Sequence, residues 1–338
     1  MILRSTNLSS GRPSGGIRLG VLGCGGIFKN IYSPILLALA DKVTVTGVCD
    51  LNSLNAQLAC GTFPEATAHR CPEDLLQSPD VDAVMVLTSE TANASMAALA
   101  LTANMPVYLE KPPALTPNEF SALRETEEES EAPLFVAFNR RHTPLLRGFT
   151  PPRALRRIEG RMERLERHVP SFPYTALHLI DSLLYFLGTP PSELCVDYAR
   201  AKSSQWTLEG QWETGASCEL TVIPDGEDHR EYLVFEGEDE VVEIQFPNPE
   251  SSFPAGLLKR SRKGSAPTEI YGDPHDALYE MGYAPAFRGF VEHIENKRLP
   301  THPYQLATCE SALAIMDAMT LRSAISLSFT KTAMISPR

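Results

Sequence analysis

Apolar residues in this chain follow two rhythms. Up to Phe138, unbroken aliphatic and β-branched runs, Ile17–Leu22, Val43–Cys49, Val81–Leu87, Val107–Leu109 and Pro133–Phe138, with a shorter one at 66–69, suit strands covered on both faces. Between them lie helical patterns over 27–39, from Asn52, over Pro72–Gln77, over Thr91–Ala103 and over Thr116–Ser130. Such alternation predicts a doubly wound parallel sheet. After Phe138 the rhythm changes, and Asn139 to Pro144 with Pro151 and Pro152 mark a crossing into a second domain. The stretch 153–168 fits a helix or a strand. Gly160 and the like charges at 157/161 and 159/163 weaken the helix, so a strand is expected. Tyr174–Leu187 with Gly188 as a stop reads as a helix, and the runs Leu194–Ala199, Gln205–Glu209, Ser217–Ile223, Glu231–Glu236 and Val241–Phe246 as an antiparallel meander. A loop over 247–274, serving as a lid or a connection, precedes helices near 284–297 and 305–326.

Composition narrows the function. The 338 residues suffice for two cores, and a net charge of -12 excludes the phosphate backbone of nucleic acid as a main partner. Seven scattered cysteines without a C-x-x-C pair predict no disulfide framework and no metal site, and point to a reducing, cytoplasmic setting. The apolar stretch 31–40 is broken by Ser33-Pro34 and is far short of a membrane span. Residues 1–16, with Arg4, Arg12 and no acid, read as a disordered leader, with a transit peptide as the alternative.

Candidate chemistry lies at the carboxyl ends of the first-half strands. Gly23-Cys24-Gly25-Gly26-Ile27 turns from a strand into a helix, the arrangement that brings backbone N–H groups to a pyrophosphate. Asp50 ends the next strand 25 residues after Gly25, where a carboxylate can accept bonds from a ribose. Its charge repels a 2′-phosphate and Leu51-Asn52-Ser53 offers no arginine, so NAD is favoured over NADP; the same aspartate also suits a helix cap. Phe28 replaces the third glycine and predicts a helix displaced from the sheet. Thr88 and the Glu110-Lys111-Pro112-Pro113 run end two further strands on the same edge, where open parallel sheets hold ligands; the two charges read as a catalytic pair or as a solvated strand end. His178 and Asp181, three apart, share a helix face, and a histidine among leucines is also compatible with a core position.

Together the glycine turn, Asp50, Glu110-Lys111-Pro112, Phe138-Asn139-Arg140-Arg141, His178-x-x-Asp181 with Leu187-Gly188, and Arg288 to Ile294 followed by Leu299-Pro300 resemble the glucose-fructose oxidoreductase, inositol dehydrogenase and MocA-like (Gfo/Idh/MocA) family, in its MviM-type branch. The resemblance implies an α/β fold: an N-terminal Rossmann dinucleotide-binding domain over 17–138 and a C-terminal α+β domain with an open, mainly antiparallel sheet over 139–330. It implies NAD or NADP, and a sugar, polyol or similar compound oxidised or reduced. A homodimer or homotetramer through the second sheet is also implied. Lys111 matches the family's catalytic lysine and His178 the histidine that works with it, joined by Asp181 and Tyr174. Tyr174 stands where the family usually has an aspartate, four residues before the histidine. Gly23, Gly25, Gly26, Ile27, Asp50, Thr88, Asn93, Glu110, Lys111 and Arg140 are the cofactor set, with Asn93 where a histidine is often found. The resemblance also admits a non-catalytic NAD(P)-binding regulator, like the sugar-responsive repressor of yeasts, and an NAD-assisted glycosidase.

Overall fold

In a computed structural model, which describes residues 16–199, 204–301 and 304–329, the alternating first half forms one six-stranded sheet. Its strands are β1 (Ile17–Leu22), β2 (Val43–Cys49), β3 (Thr67–Ala68), β4 (Ala83–Val86), β5 (Val107–Glu110) and β6 (Leu134–Ala137), in the order β3-β2-β1-β4-β5-β6, and every neighbour is parallel. β4, β5 and β6 are buried at every position, which explains why their sequences show no alternation. The strand order reverses between β1 and β4, so the crevice beyond their carboxyl ends is where such sheets take a ligand.

Helices α1 (Ser33–Ala38), α2 (Ser53–Thr62), α3 (Pro72–Leu76), α4 (Asn93–Thr102) and α5 (Pro117–Glu129) connect the strands. α2 is capped by Asn52, whose side chain accepts from the Leu54 N–H, and α5 opens on a reciprocal Thr116–Glu119 box. Before α1 the chain makes a π-turn over Phe28–Tyr32. The Phe28 ring, which occupies the place of the third glycine, is buried 5.9 Å from the Phe63 ring, and the wider turn makes room for it.

The second half builds a nine-stranded sheet from β7 (Arg157–Glu163), β8 (Glu193–Ala199), β9 (Gln205–Gln211), β10 (Ser217–Ile223), β11 (Arg230–Glu236), β12 (Glu240–Gln245), β13 (Leu257–Arg262), β14 (Thr268–Tyr271) and β15 (Ile325–Ser328). The stretch from 153 contributes a strand, as expected; β7 is parallel to β10, and every other pairing in this sheet is antiparallel. Gly160 lies in β7 because a Cβ there would fall 2.5 Å from the Leu220 side chain and 2.9 Å from Leu233.

Two expectations are corrected here. The stretch 247–274 is not a free loop: β13 and β14 extend the sheet beyond β12. Basic residues disguised β13, yet Arg260 and Lys259 pair across the strands with Glu240 and Glu243 at 2.8 and 3.8 Å. The expected last helix over 305–326 is a 3-10 turn, Leu306–Cys309, then α9 (Glu310–Thr320), and then β15 alongside β8.

α6 (Phe172–Leu187), ended by Gly188 at φ 71°, packs its apolar face against α9 and the inner face of the second sheet. The hydrophobic cores do not divide at 138. α7 (Ala277–Glu280) leads into α8 (Tyr283–Glu295), whose Phe287, Phe290 and Val291 join β1, β5 and β6 in one core. The Phe290 ring lies 5.1 Å from Phe135 and 5.3 Å from Tyr108. Among the described residues no helix is long and apolar enough to cross a membrane. The residues read as a leader fall, except for Gly16, outside the described residues.

Candidate active site

β5 delivers Glu110 and Lys111 to the crevice, and the Lys111–Pro112 peptide there is cis. The two charges do not pair through their tips. Glu110 is buried, its Oε2 accepts the backbone N–H of Lys111 at 2.9 Å, and its Oε1 accepts the Tyr32 hydroxyl at 2.5 Å. Lys111 is half-buried and reaches across to the second half, its Nζ donating to the Tyr174 carbonyl at 3.3 Å. Burial pulls the lysine below its ordinary range, helped by the Arg140 charge and opposed by Glu110, Glu90 and Glu231.

Tyr174 lies in the first turn of α6, and one turn later comes His178. The Lys111 contact uses a backbone oxygen, so tyrosine in place of aspartate does not affect it. His178 is buried, and its Nδ1 has no partner among the described residues. Burial, then the charges of Lys111, Arg140 and Arg164, hold its pKa well below the usual value, so the ring is neutral.

Behind these two residues lies a buried ionic cluster. Glu231 receives Arg140 Nε and Nη2 at 3.3 and 3.1 Å and Arg164 Nη2 at 2.6 Å. Arg164 and Glu231 were not foreseen. Glu231 was recoverable, because it shares strand parity with the inward-facing Leu233 and Phe235. Arg164, one of several arginines over 153–168, carried no such signal.

On the other side, Gly23 adopts φ 95° with its Cα close enough to β4 that a Cβ would meet the Leu87 carbonyl oxygen at 2.4 Å, so only glycine fits. At Gly25 and Gly26 a Cβ would meet nothing within 4 Å, leaving open space over a helix start whose first N–H groups have no helical acceptor. Asp50 is not the cap of α2. Its Oδ2 accepts the Cys24 N–H at 2.7 Å and its Oδ1 the Asn52 N–H at 2.7 Å, so it ties the glycine turn to the next loop. Glycine turn, Ile27 and Asp50 thus form a cradle at the crevice that fits a dinucleotide.

Some residues grouped with the site have their side chains engaged by other protein groups. Asn93 is buried and fully engaged: it accepts the Thr88 hydroxyl at 2.9 Å and donates to the Glu110 and Pro112 carbonyls at 3.1 and 3.0 Å. It clamps the ends of β4 and β5 together, leaving no surface for a cofactor. Asp181 does not bond His178. Arg141 holds its carboxylate at 2.9 and 2.5 Å, with the guanidinium 4.6 Å from the Phe138 ring centre. Arg140 is directed at Glu231, and Glu110 at Tyr32 and the Lys111 backbone.

The fold and this crevice define a protein of the NAD-binding Rossmann class carrying a second, open sheet. Residues 17–138 match the oxidoreductase family with an NAD-binding Rossmann fold, GFO_IDH_MocA. That match to an NAD-binding oxidoreductase family is confined to the first sheet and its helices. The chain is 32% identical over 131 residues to inositol 2-dehydrogenase of Salmonella typhimurium, covering 37% of this chain and 38% of that protein. It is 27% identical over 196 residues to inositol 2-dehydrogenase 2 of Paenarthrobacter aurescens, covering 53% of this chain and 58% of that one. These alignments therefore span less than two thirds of either relative. The fold is shared along the chain with a dehydrogenase from Chromobacterium violaceum (TM-score 0.77, 17% identity, 91% of this chain and 96% of that one). It is shared equally with the UDP-N-acetylglucosamine 3-dehydrogenase of Acidithiobacillus ferrooxidans (TM-score 0.75, 19% identity, 91% and 98%).

Proposed function

We propose that this protein is an NAD-dependent oxidoreductase that moves hydride between the nicotinamide and a sugar, polyol or related hydroxy or keto compound, with Lys111 as the acid and base. The observation that carries this reading is Lys111 itself, at the carboxyl end of β5, held by the Tyr174 carbonyl on the helix of His178, with its pKa lowered by burial. A bound nicotinamide would supply the hydride acceptor or donor. The protein's own task is then to handle the proton. A lysine below its ordinary range can take the hydroxyl proton of an alcohol at its Nζ, and return it when a ketone is reduced. Neutral His178 can accept or donate a hydrogen bond to the same substrate oxygen, and the half-buried Tyr174 hydroxyl can donate one. The inositol dehydrogenases among the relatives support a polyhydroxylated substrate.

Preference for NAD rests on Asp50, whose charge disfavours a 2′-phosphate, and on the lack of arginine at 51–53. The test combines fluorescence titration with a screen of sugars, polyols and sugar acids for NAD reduction. NADH is expected to bind more tightly than NADPH, and Lys111→Ala to abolish turnover while leaving NADH affinity within a few-fold. Turnover that survives Lys111→Ala sinks the mechanism, and tighter NADPH binding removes the role given to Asp50.

A further inference from the structure

Glu110 needs a reason to stay where it is. The residue is 3% exposed, and the only side-chain donor bonded to its carboxylate among the described residues is Tyr32. Tyr32 belongs to the π-turn that follows the glycine turn, is wholly buried, and is packed edge-on by the rings of Tyr108, Tyr283 and Phe287 at 5.8, 6.2 and 6.5 Å. A carboxylate cannot donate, so the short bond to Glu110 uses the single Tyr32 proton. The Tyr108 hydroxyl lies 3.4 Å from the same Tyr32 oxygen.

We propose that Tyr32 is a positioning residue of the lysine site, acting through Glu110: it holds the carboxylate that in turn holds Lys111, and it does so from the element that carries the dinucleotide turn. The inference deepens the reading of Lys111 as the proton-carrying group and rests on it. The groups facing Glu110 are Tyr32, Tyr108, Tyr283 and Lys111; those facing Lys111 are Glu110, Glu90, Arg140, Glu231 and His178. Removing the Tyr32 hydroxyl leaves a buried carboxylate short of a donor, which favours its protonated form. A protonated Glu110 no longer attracts the Lys111 ammonium, so the lysine gives up its proton at lower pH.

The experiment follows Lys111 directly, by NMR titration of 13C-dimethylated lysines in the full chain with the Lys111 signal assigned from Lys111→Arg. Tyr32→Phe is expected to lower the Lys111 titration by about one pH unit, the scale of one lost charged hydrogen bond. Glu110→Gln alone is expected to lower it too, and adding Tyr32→Phe to Glu110→Gln to change nothing further. Tyr108→Phe, which leaves Glu110 its donor, is expected to leave the titration in place. An unmoved or upward titration in Tyr32→Phe overturns the proposal, as does a Tyr32→Phe effect that persists undiminished beside Glu110→Gln. Should Tyr32→Phe fail to fold, Glu110→Gln decides alone: an unmoved Lys111 titration there overturns it. No substrate is required, so a negative result leaves the oxidoreductase reading to be judged by turnover of Lys111→Ala.

Discussion

His142 and His178 each bury one ring nitrogen that has no partner among the described residues. For His142, whose ring centre lies 4.5 Å from that of Tyr304, burial and the neighbouring charges of Arg141 and His293 push the pKa down to about 3. In the unfolded chain the same ring binds a proton near its ordinary value, about 6.5. Between these values the unfolded chain holds the extra proton, so stability is complete above the unfolded value and is lost as pH falls toward the folded one. From pH 6.5 to 5 this costs about 2 kcal/mol for one such histidine. His142→Phe is expected to lose that much less stability than the parent between pH 7.5 and 5, as read from urea midpoints; equal losses would show that His142 is not the source. Lys111, Asp50 and His178 were legible as single residues because strand ends and helix faces have sequence signatures. Of the residues around them, Glu231 was readable only through its strand parity, and Tyr32 and Arg164 were not, since they come from segments far apart in the chain. Asp181 misled for the same reason: helical spacing put it beside His178, whereas Arg141, 40 residues earlier, captures its carboxylate.

Three elements meet at Glu231: the 3-10 turn Asn139–His142 through Arg140, the end of β7 through Arg164, and β11 itself. Both guanidiniums and the carboxylate are buried, so their worth lies less in net stabilisation than in the cost of breaking them. Glu231→Ala strands two buried cations and is expected to cost about 3–5 kcal/mol in urea or thermal unfolding. A loss below about 1 kcal/mol, the size of an exposed pair, would contradict the burial of this cluster. At this scale the alternating half was readable because fully buried runs and their breakers define each strand. β13 escaped because it carries lysine and arginine, and the edge strands β14 and β15 because they are short and partly polar; only their ladders with β12, β13 and β8 reveal them.

Across the whole molecule, the first sheet is finished by a helix from the other half. Phe287 and Phe290 of α8 are fully buried against Tyr108 and Phe135, so residues 17–138 alone would expose a large aromatic face. A fragment of residues 17–138 is expected to unfold without a cooperative urea transition, whereas the full chain shows one; a cooperative fragment would make α8 an accessory. The compositional change after Phe138 concealed this, because sequence periodicity reports which face of α8 is apolar and not which sheet receives it. The consequence reaches to the ribosome. The strands of the dinucleotide-binding half emerge first, but the aromatic residues that cover them are translated roughly 150 residues later, a delay on the order of ten seconds at ordinary elongation rates. During that interval Tyr108 and Phe135 are bare, which makes the nascent half a client for chaperones and ties the birth of the cofactor cradle to completion of nearly the entire polypeptide.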